Sequence, residues 1–228
     1  HEWTGAIDRA WEKDGNWCGK VPTASTDVRI PASAPNQPLI SAGIVAVCRS
    51  ITIDVGASVT IAAGLPSPLT AGGSLAVGNT ITNNAGVAGL WIQSAANSPN
   101  GTLIFHNLAS SPVLGTVEMY TKAYYDPAGP TGYKYKWQFF GIPLQGPVPP
   151  SPTCDGSYVR ENDESQQTSS HTAVWTNASL LSSFRGYEIT QTSPKTLYFQ
   201  GQLTNSNYAY PITNSPSGAY PGNNILGN

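Results

Sequence analysis

Seven acidic side chains lie near aromatic or polar segments in the second half of the chain, where they are candidates for acid–base chemistry. Glycoside cleavage needs two carboxyl groups that face each other about 5 to 9 Å apart. No pair has a spacing that forces both onto one cleft, and an exposed acid is ordinarily a solvated surface group. The sequence therefore predicts no catalytic pair among Glu118, Asp126, Asp155, Glu161, Asp163, Glu164 and Glu188.

Three histidines, His1, His106 and His171, are the other candidates for catalysis. The chain has no Gly-x-Ser-x-Gly turn that would present a serine nucleophile, so a Ser-His-Asp triad is not expected. An amino-terminal histidine can bind copper through its amine and ring, but no second histidine with a supporting aromatic completes that pattern. Removal of a signal peptide explains His1 better. We predict that the chain is not an enzyme.

Calcium is the metal that the acidic segments suit best. Asp155, Asp163 and Glu164 offer the hard carboxylate oxygens that calcium prefers. Their spacing does not match an EF-hand loop, so an exposed acidic turn is the competing interpretation. No CxxC or HxxxH pair suggests zinc. We expect no cofactor, with calcium at these three acids as the alternative.

Aromatic side chains are the candidates for ligand binding. The chain holds 11 tyrosines and 6 tryptophans, and an exposed ring can stack on the face of a sugar. Trp91, Tyr124 and Tyr125 form the predicted glycan platform. Most rings are expected to fill the protein core instead, because aromatic side chains dominate core burial.

Three cysteines allow one bridge and one remaining thiol. Cys18 follows a tryptophan in a glycine-rich turn, and Cys48 ends an apolar run, so we predict a Cys18–Cys48 disulfide. The alternative is that these two and Cys154 are buried thiols that act as small hydrophobic side chains.

The overall composition favours short strands joined by many turns. Charged residues are only 11% of the 228, and Ser, Thr, Asn, Gln, Gly and Pro take their place. A net charge of -2 provides no basic field for nucleic acid or an anionic membrane. No apolar stretch approaches the ~20 residues that span a bilayer. The predicted class is all-β, with no nucleic-acid partner and no membrane insertion.

Short alternating runs fill residues 1–115. Ile51-Thr52-Ile53 is typical, with apolar side chains at every second position and Gly, Asn or Pro between runs. Such strands favour a short right-handed parallel β-solenoid, with a twisted antiparallel sandwich as the alternative. Trp3, Trp11 and Trp17 come first and are predicted to cap the open end of the solenoid.

Longer strands with bulky aromatics occupy residues 116–228. The run from Tyr133 to Phe139 alternates cleanly between aromatic and polar side chains. The proline-rich stretch after it must be irregular, because proline cannot donate to a strand ladder. This half is predicted to be a β-sandwich.

Several short motifs are shared with a known group of proteins. They are Trp11 and Trp17, Gly19-Lys20-Val21-Pro22, Asp27 to Pro31, Pro38-Leu39-Ile40, Ile51 to Ile61, Trp137 to Leu144, Arg185 to Ile189 and Leu197 to Leu203. With these motifs the chain resembles surface proteins that the type IX secretion system of Bacteroidetes exports. The resemblance implies a secreted, adhesin-like protein at the bacterial cell surface. It supports a location and a fold better than an activity.

The last residues resemble part of a longer motif. Gly222 to Asn228 matches the first half of a segment that continues in those surface proteins. We therefore expect the chain to be the amino-terminal piece of a longer protein, with its second domain truncated at the carboxy terminus.

Three functions follow from these observations. The first is a non-catalytic structural or adhesive module that presents loops to glycans or surface proteins. The second is a polysaccharide lyase or hydrolase on a β-solenoid, by analogy of fold. The third is a self-assembling extracellular fibre subunit, in which a neighbour or a missing part of the same protein supplies a strand.

Overall fold

A computed structural model describes residues 1–107, 112–167, 174–205, 209–218 and 221–227. Helix in these residues is limited to the 3-10 turns Asp14–Asn16, Gly86–Ala88 and Glu164–Gln166, which confirms the predicted all-β class. None of the helical turns in the described ranges is long and apolar enough to cross a membrane. The chain divides into unit 1 (His1–Tyr120 and Tyr198–Ser206) and unit 2 (Thr121–Leu197 and Asn207–Asn228).

The strands are short in the first half of the chain and longer afterwards. In chain order they are β1 Asp27–Ile30, β2 Leu39–Ile40, β3 Val45–Cys48, β4 Ser50–Ile53, β5 Val59–Ile61, β6 Leu65–Pro66, β7 Leu69–Thr70, β8 Ser74–Val77, β9 Ile81–Asn83, β10 Leu90–Ile92, β11 Thr102–Phe105 and β12 Leu114–Thr121. They continue with β13 Tyr124–Tyr125, β14 Tyr135–Lys136, β15 Gln138–Phe140, β16 Ser157–Asn162, β17 Trp175–Asn177, β18 Tyr187–Gln191 and β19 Lys195–Gln202.

Most strands of unit 1 belong to three sheets, in which the pairs among β1 to β5 and β8 to β12 are parallel. Sheet 1 has the order β1-β4-β9, sheet 2 the order β19-β12-β10-β5-β2, and sheet 3 the order β11-β8-β3. The chain enters sheets 1, 2 and 3 in that order and repeats the cycle with β4, β5 and β8 and again with β9, β10 and β11. Strands that are neighbours in a sheet therefore come from successive cycles.

Every second residue of these strands points inward and stacks on its counterpart in the next cycle. Ile51 pairs with Ile81 in sheet 1, and Ile61 pairs with Ile40 and Ile92 in sheet 2. Ile40 and Ile61 have no exposed surface, and Ile51 is almost completely buried. Each such side chain contributes roughly 1.5–3 kcal/mol of hydrophobic stabilisation. The apolar residues at every second position of the sequence thus form the core of unit 1.

The first residues of the chain lie along the edges of β1 and β2. Glu2 bridges Arg29 in β1, and Ala10 bridges Leu39 in β2. Behind these bridges Trp3, Trp11 and Trp17 are buried, and the Trp17 ring makes edge contacts to both others, with centroids 5.0 and 4.7 Å apart. The bridges give backbone partners to two strand edges that would otherwise be open.

Unit 2 contains an antiparallel sheet of order β15-β18-β16-β17 and the ribbon β13-β14. One face of the sheet is apolar and buried, with Phe140, Val159, Tyr187 and Ile189 on it. Strand β18 lies between β15 and β16 in the sheet, and it is buried along its whole length. The opposite face carries the features described next.

Candidate interaction surface

The outward face of the unit 2 sheet carries a group of aromatic side chains, which we call the aromatic face: Tyr135, Trp137, Phe139, Tyr158 and Trp175. Cross-strand register brings them together from separate strands. Phe139 is opposite Glu188, Glu188 is opposite Arg160, and Trp175 is opposite Asn162. Because side chains alternate along a strand, Tyr158 lies on the same side of β16 as Arg160.

These rings contact one another; Tyr135, Phe139 and Tyr158 are exposed, and Trp137 and Trp175 are half-buried. The centroids are 6.5 Å apart for Tyr135 and Trp137, 5.8 Å for Trp137 and Tyr158, and 6.0 Å for Phe139 and Trp175. Exposure is 64% for Phe139, 54% for Tyr135 and 48% for Tyr158. The sequence-based expectation that most rings fill the core therefore does not hold for this row.

Arg160 lies at the centre of the aromatic face. Its guanidinium carbon is 3.8 Å from the centre of the Trp137 ring, 5.7 Å from that of Trp175 and 6.0 Å from that of Tyr158. Stacking of a guanidinium on an aromatic ring is favourable because the ring face is negatively polarised. The charged group thus joins rings from three different segments into one surface.

The charge of Arg160 is balanced from beneath by Glu188. The two form an ion pair, in which the Glu188 side chain is only 7% exposed and the Arg160 side chain 26%. Burial raises the pKa of the Glu188 carboxyl above its usual value, and the guanidinium of Arg160 acts against that shift. The aromatic face therefore combines exposed rings with a charge pair that sums to zero.

The model of a family described as a domain of unknown function, DUF8693, matches residues 2–226. The chain belongs to this family. The minor fimbrium subunit Mfa5 of Porphyromonas gingivalis is 31% identical to it over 153 residues, which are 64% of this chain and 12% of that protein. The chain thus spans about an eighth of the length of the curated relative that it matches. No solved structure matches the chain significantly.

The predicted glycan platform is divided between the two units of this DUF8693 chain. Trp91 belongs to unit 1, where its indole N–H donates to Glu118 Oε1 over 2.7 Å and its ring makes an edge contact with Tyr198. Tyr124 and Tyr125 belong to unit 2. The Tyr125 ring is 5.0 Å from that of Tyr135 and so adjoins the aromatic face.

Sequence reasoning missed the aromatic face itself, although one signal pointed to it. The alternation from Tyr133 to Phe139 places Tyr135, Trp137 and Phe139 on one side of a strand. That alternation does not say which side is buried. Tyr158, Arg160 and Trp175 join the group only through strand pairing, which the sequence does not show.

The three acids predicted to bind calcium are not brought together around a common point. Asp163 caps the turn Glu164–Gln166 by accepting from Ser165 N–H, and Glu164 accepts from the N–H groups of Ser215 (2.7 Å) and Gly222 (2.9 Å). Asp155 lies in an exposed turn, where its carbonyl accepts from Lys195 Nζ. No group of three His, Cys, Asp or Glu side chains suited to a metal occurs in the ranges that the structure describes.

Glu164 has a structural role that its sequence context did not suggest. Its side chain is almost completely buried. The N–H of Gly222 and then that of Ser215 hold the pKa of its carboxyl below the usual value, against the opposing effect of burial. The carboxylate thereby fastens the segment 209–227 to unit 2, as far as that segment is described.

The predicted Cys18–Cys48 bridge is not formed. Both are free thiols, with Cys18 exposed and Cys48 buried. The physical reason is the alternation of β3, which turns Cys48 inward in register with Val77 of β8. Burial raises the pKa of Cys48 to about 12 and that of Cys154 to about 11, so both buried thiols stay protonated and act as small apolar groups.

The remaining catalytic candidates have structural partners or lie on the surface. Glu161 pairs with Arg185, and Asp126 caps a turn by accepting from Ala128 N–H. His1 is exposed, with Nδ1 3.1 Å from the Lys20 carbonyl oxygen, and His106 is exposed after β11. His171 lies outside the described residues.

Proposed function

We propose that this chain is a non-catalytic structural and adhesive module of a fimbria-associated protein at the bacterial cell surface. The observation that carries the proposal is the 31% identity to a protein named as a minor fimbrium subunit. That protein is about eight times longer than the matched region, which fits a module within a larger chain. The motifs shared with type IX exports support the same location and suggest that export route.

The fold of unit 1 suits such a module. We propose that its three sheets form a short right-handed parallel β-solenoid that the tryptophan-rich segment caps. The cyclic order of the strands supports the solenoid, and the bridges from Glu2 and Ala10 to the edge strands support the cap. Each coil of a solenoid is stabilised by stacking on the equivalent coils next to it. A short stack of such coils can therefore serve as a spacer.

The engagement of the acids supports a role without catalysis. A general acid or base must be free to reach a substrate proton. Glu118, Glu161, Glu164 and Glu188 are instead bound to protein donors or cations.

The location is tested in the bacterium that encodes the protein. A chromosomal copy with an epitope tag in the hairpin between β6 and β7 is followed by surface proteolysis of intact cells and by Western blotting of sheared fimbriae. We expect loss of the tag signal in intact cells and its presence in the fimbrial fraction, while a cytoplasmic marker stays protected. A tag that is protected until the cells are lysed would contradict the proposal.

The name of the relative also favours a second candidate, a subunit that assembles with itself. Size-exclusion chromatography with light scattering at rising concentration tests it. Oligomers that grow with concentration support a fibre subunit, and a strict monomer counts against it.

A further inference from the structure

We propose that the aromatic face of unit 2 binds a neutral glycan chain, with pyranose rings stacked on its exposed rings Phe139 and Tyr158. This inference rests on the proposed adhesive function and names the ligand class and the site. The site differs from the platform expected from the sequence, since only Tyr125 of that platform adjoins it.

The exposure of the rings is the first argument. Aromatic side chains favour burial, yet Tyr135, Phe139 and Tyr158 each keep about half or more of their surface in water. Contiguous exposed apolar surface of this kind marks interaction sites in soluble proteins. The buried face of the same sheet already contains Val159, Tyr187 and Ile189, so the outward rings are not needed for its core.

Charge is the second argument, and it selects a neutral ligand. Because Arg160 is paired with Glu188, the face offers no net positive charge to an acidic polymer. The Arg160 side chain is 26% exposed, and the residues Tyr135 and Tyr158 are also exposed, so guanidinium and hydroxyl groups on this face provide hydrogen-bonding capacity. A sugar matches this mixture, since its ring has an apolar C–H side and a rim of hydroxyls, and a few polar groups on an apolar surface are what orient a ligand.

Ring geometry is the third argument, and it favours a twisted, soluble chain over a flat crystalline surface. Tyr125, Tyr135, Trp137 and Tyr158 follow one another with centroids 5.0, 6.5 and 5.8 Å apart. Neighbouring ring planes in this row are inclined by 57°, 49° and 57°. Coplanar rings would suit a flat polysaccharide surface, whereas inclined rings contact successive sugars of a chain that turns along its length.

Binding is measured by isothermal titration calorimetry of the whole chain. The neutral probes are cellohexaose, xylohexaose and mannohexaose, hexagalacturonate is the acidic probe, and microcrystalline cellulose is the flat surface in a pull-down. We expect saturable binding of at least one neutral hexasaccharide, and weaker binding of the acidic and crystalline probes.

Two variants connect binding to the aromatic face. Tyr158→Ala and Phe139→Ala each truncate an exposed ring, so both should fold, and a circular dichroism melt checks this. We expect the dissociation constant to rise about tenfold in Tyr158→Ala, as for the loss of one aromatic contact in an interface. The matched control is Tyr133→Ala, because Tyr133 is 74% exposed and makes no ring contact among the described residues. It should bind like the parent chain.

Three results would overturn the proposal. They are absence of binding to every neutral probe at millimolar concentration, preference for the acidic probe, and affinity that Tyr158→Ala does not change. If Tyr158→Ala instead abolishes self-association or retention on purified fimbriae, the face belongs to a protein partner. Surface proteolysis reports on location alone, so the proposed function can stand if glycan binding fails.

Discussion

The ion pair beneath the aromatic face gives the sharpest test of how unit 2 is built. Replacing Arg160 with alanine leaves the Glu188 carboxylate, whose side chain is 7% exposed, without its cation. Breaking a buried pair from one side costs about 3–5 kcal/mol. Arg160 is itself 26% exposed, so solvent screening reduces the expected loss to about 2–3 kcal/mol. Loss of the stacking over Trp137 adds about 1 kcal/mol.

The sign of the pH dependence follows from the pKa of Glu188. Burial already raises that pKa in the folded protein, and removal of Arg160 removes the opposing influence, so the folded pKa rises further. Below the unfolded pKa the carboxyl is protonated in both states and nothing is lost. Because the unfolded state has the lower Glu188 pKa, its carboxyl ionises at lower pH than that of the folded state. The unfolded state is thereby stabilised relative to the folded state, and the free energy of unfolding falls as pH rises through the folded pKa. The deficit of Arg160→Ala should therefore be smaller at pH 4 than at pH 8.

The assay is equilibrium unfolding in guanidinium chloride, followed by near-ultraviolet circular dichroism at both pH values. Arg160→Ala with Glu188→Gln should recover the charge-related part of the loss and retain a deficit of about 1 kcal/mol from stacking. Lys136→Ala is the matched control, because Lys136 forms an exposed pair with Asp126 at 3.8 Å and should cost no more than about 0.5 kcal/mol. A deficit that is equal at both pH values, or that Glu188→Gln does not relieve, would refute the reasoning.

Three further predictions concern other parts of the molecule. Glu164→Gln should loosen segment 209–227, because a neutral amide accepts the N–H groups of Ser215 and Gly222 more weakly, and amide hydrogen exchange in the described part of that segment should become faster. In the parent chain the same exchange should become faster as pH falls through the lowered folded pKa of Glu164, because protonation weakens the same two hydrogen bonds. Iodoacetamide should label Cys18 rapidly in the native protein and should label Cys48 only after denaturation. A protein whose mass is about two units lower, and whose cysteines react only after reduction, would instead contain a disulfide. Ile61→Ala should lower the free energy of unfolding, measured by thermal melts, by about 2–5 kcal/mol, because Ile61 is buried. Thr60 is its outward neighbour, and Thr60→Ala should lower the free energy of unfolding by less than about 1 kcal/mol. Equal losses in the two variants would contradict the inward stacking of Ile61.

Local features of the fold could be predicted from the sequence because they depend on neighbouring residues. The period of two in Ile51-Thr52-Ile53 predicts a strand with two inward side chains, and both isoleucines are buried. The pairing partner could not be predicted in the same way. Ile51 pairs with Ile81, thirty residues later, and many alternating runs of similar composition compete for that place.

The aromatic face shows the same limit at the site. Phe139 and Phe140 are adjacent, so one of them must point to each side of β15, and propensity does not distinguish the two choices. Register decides, because Phe140 lies opposite Tyr187 and packs against it with centroids 5.7 Å apart. That contact turns Phe139 outward together with Tyr135 and Trp137. Strand alternation acts in the same way at Cys48, which β3 turns inward while Cys18 is exposed.

The outward positions of the two units suggest different roles. In unit 1 the outward residues of β4, β5 and β9 include Ser50, Thr52, Thr60 and Thr82, which are small and hydroxylated. Strands β3 and β11 instead expose the single aliphatic side chains Val45 and Ile104. The hydroxylated positions are well hydrated and offer a partner little apolar area. In unit 2 the equivalent alternation presents Phe139 and Tyr158 to solvent. A surface that only had to remain soluble would gain from hydroxyl groups there as well. The exposed rings of unit 2 are in contact with one another, and we therefore infer that recognition belongs to the aromatic face.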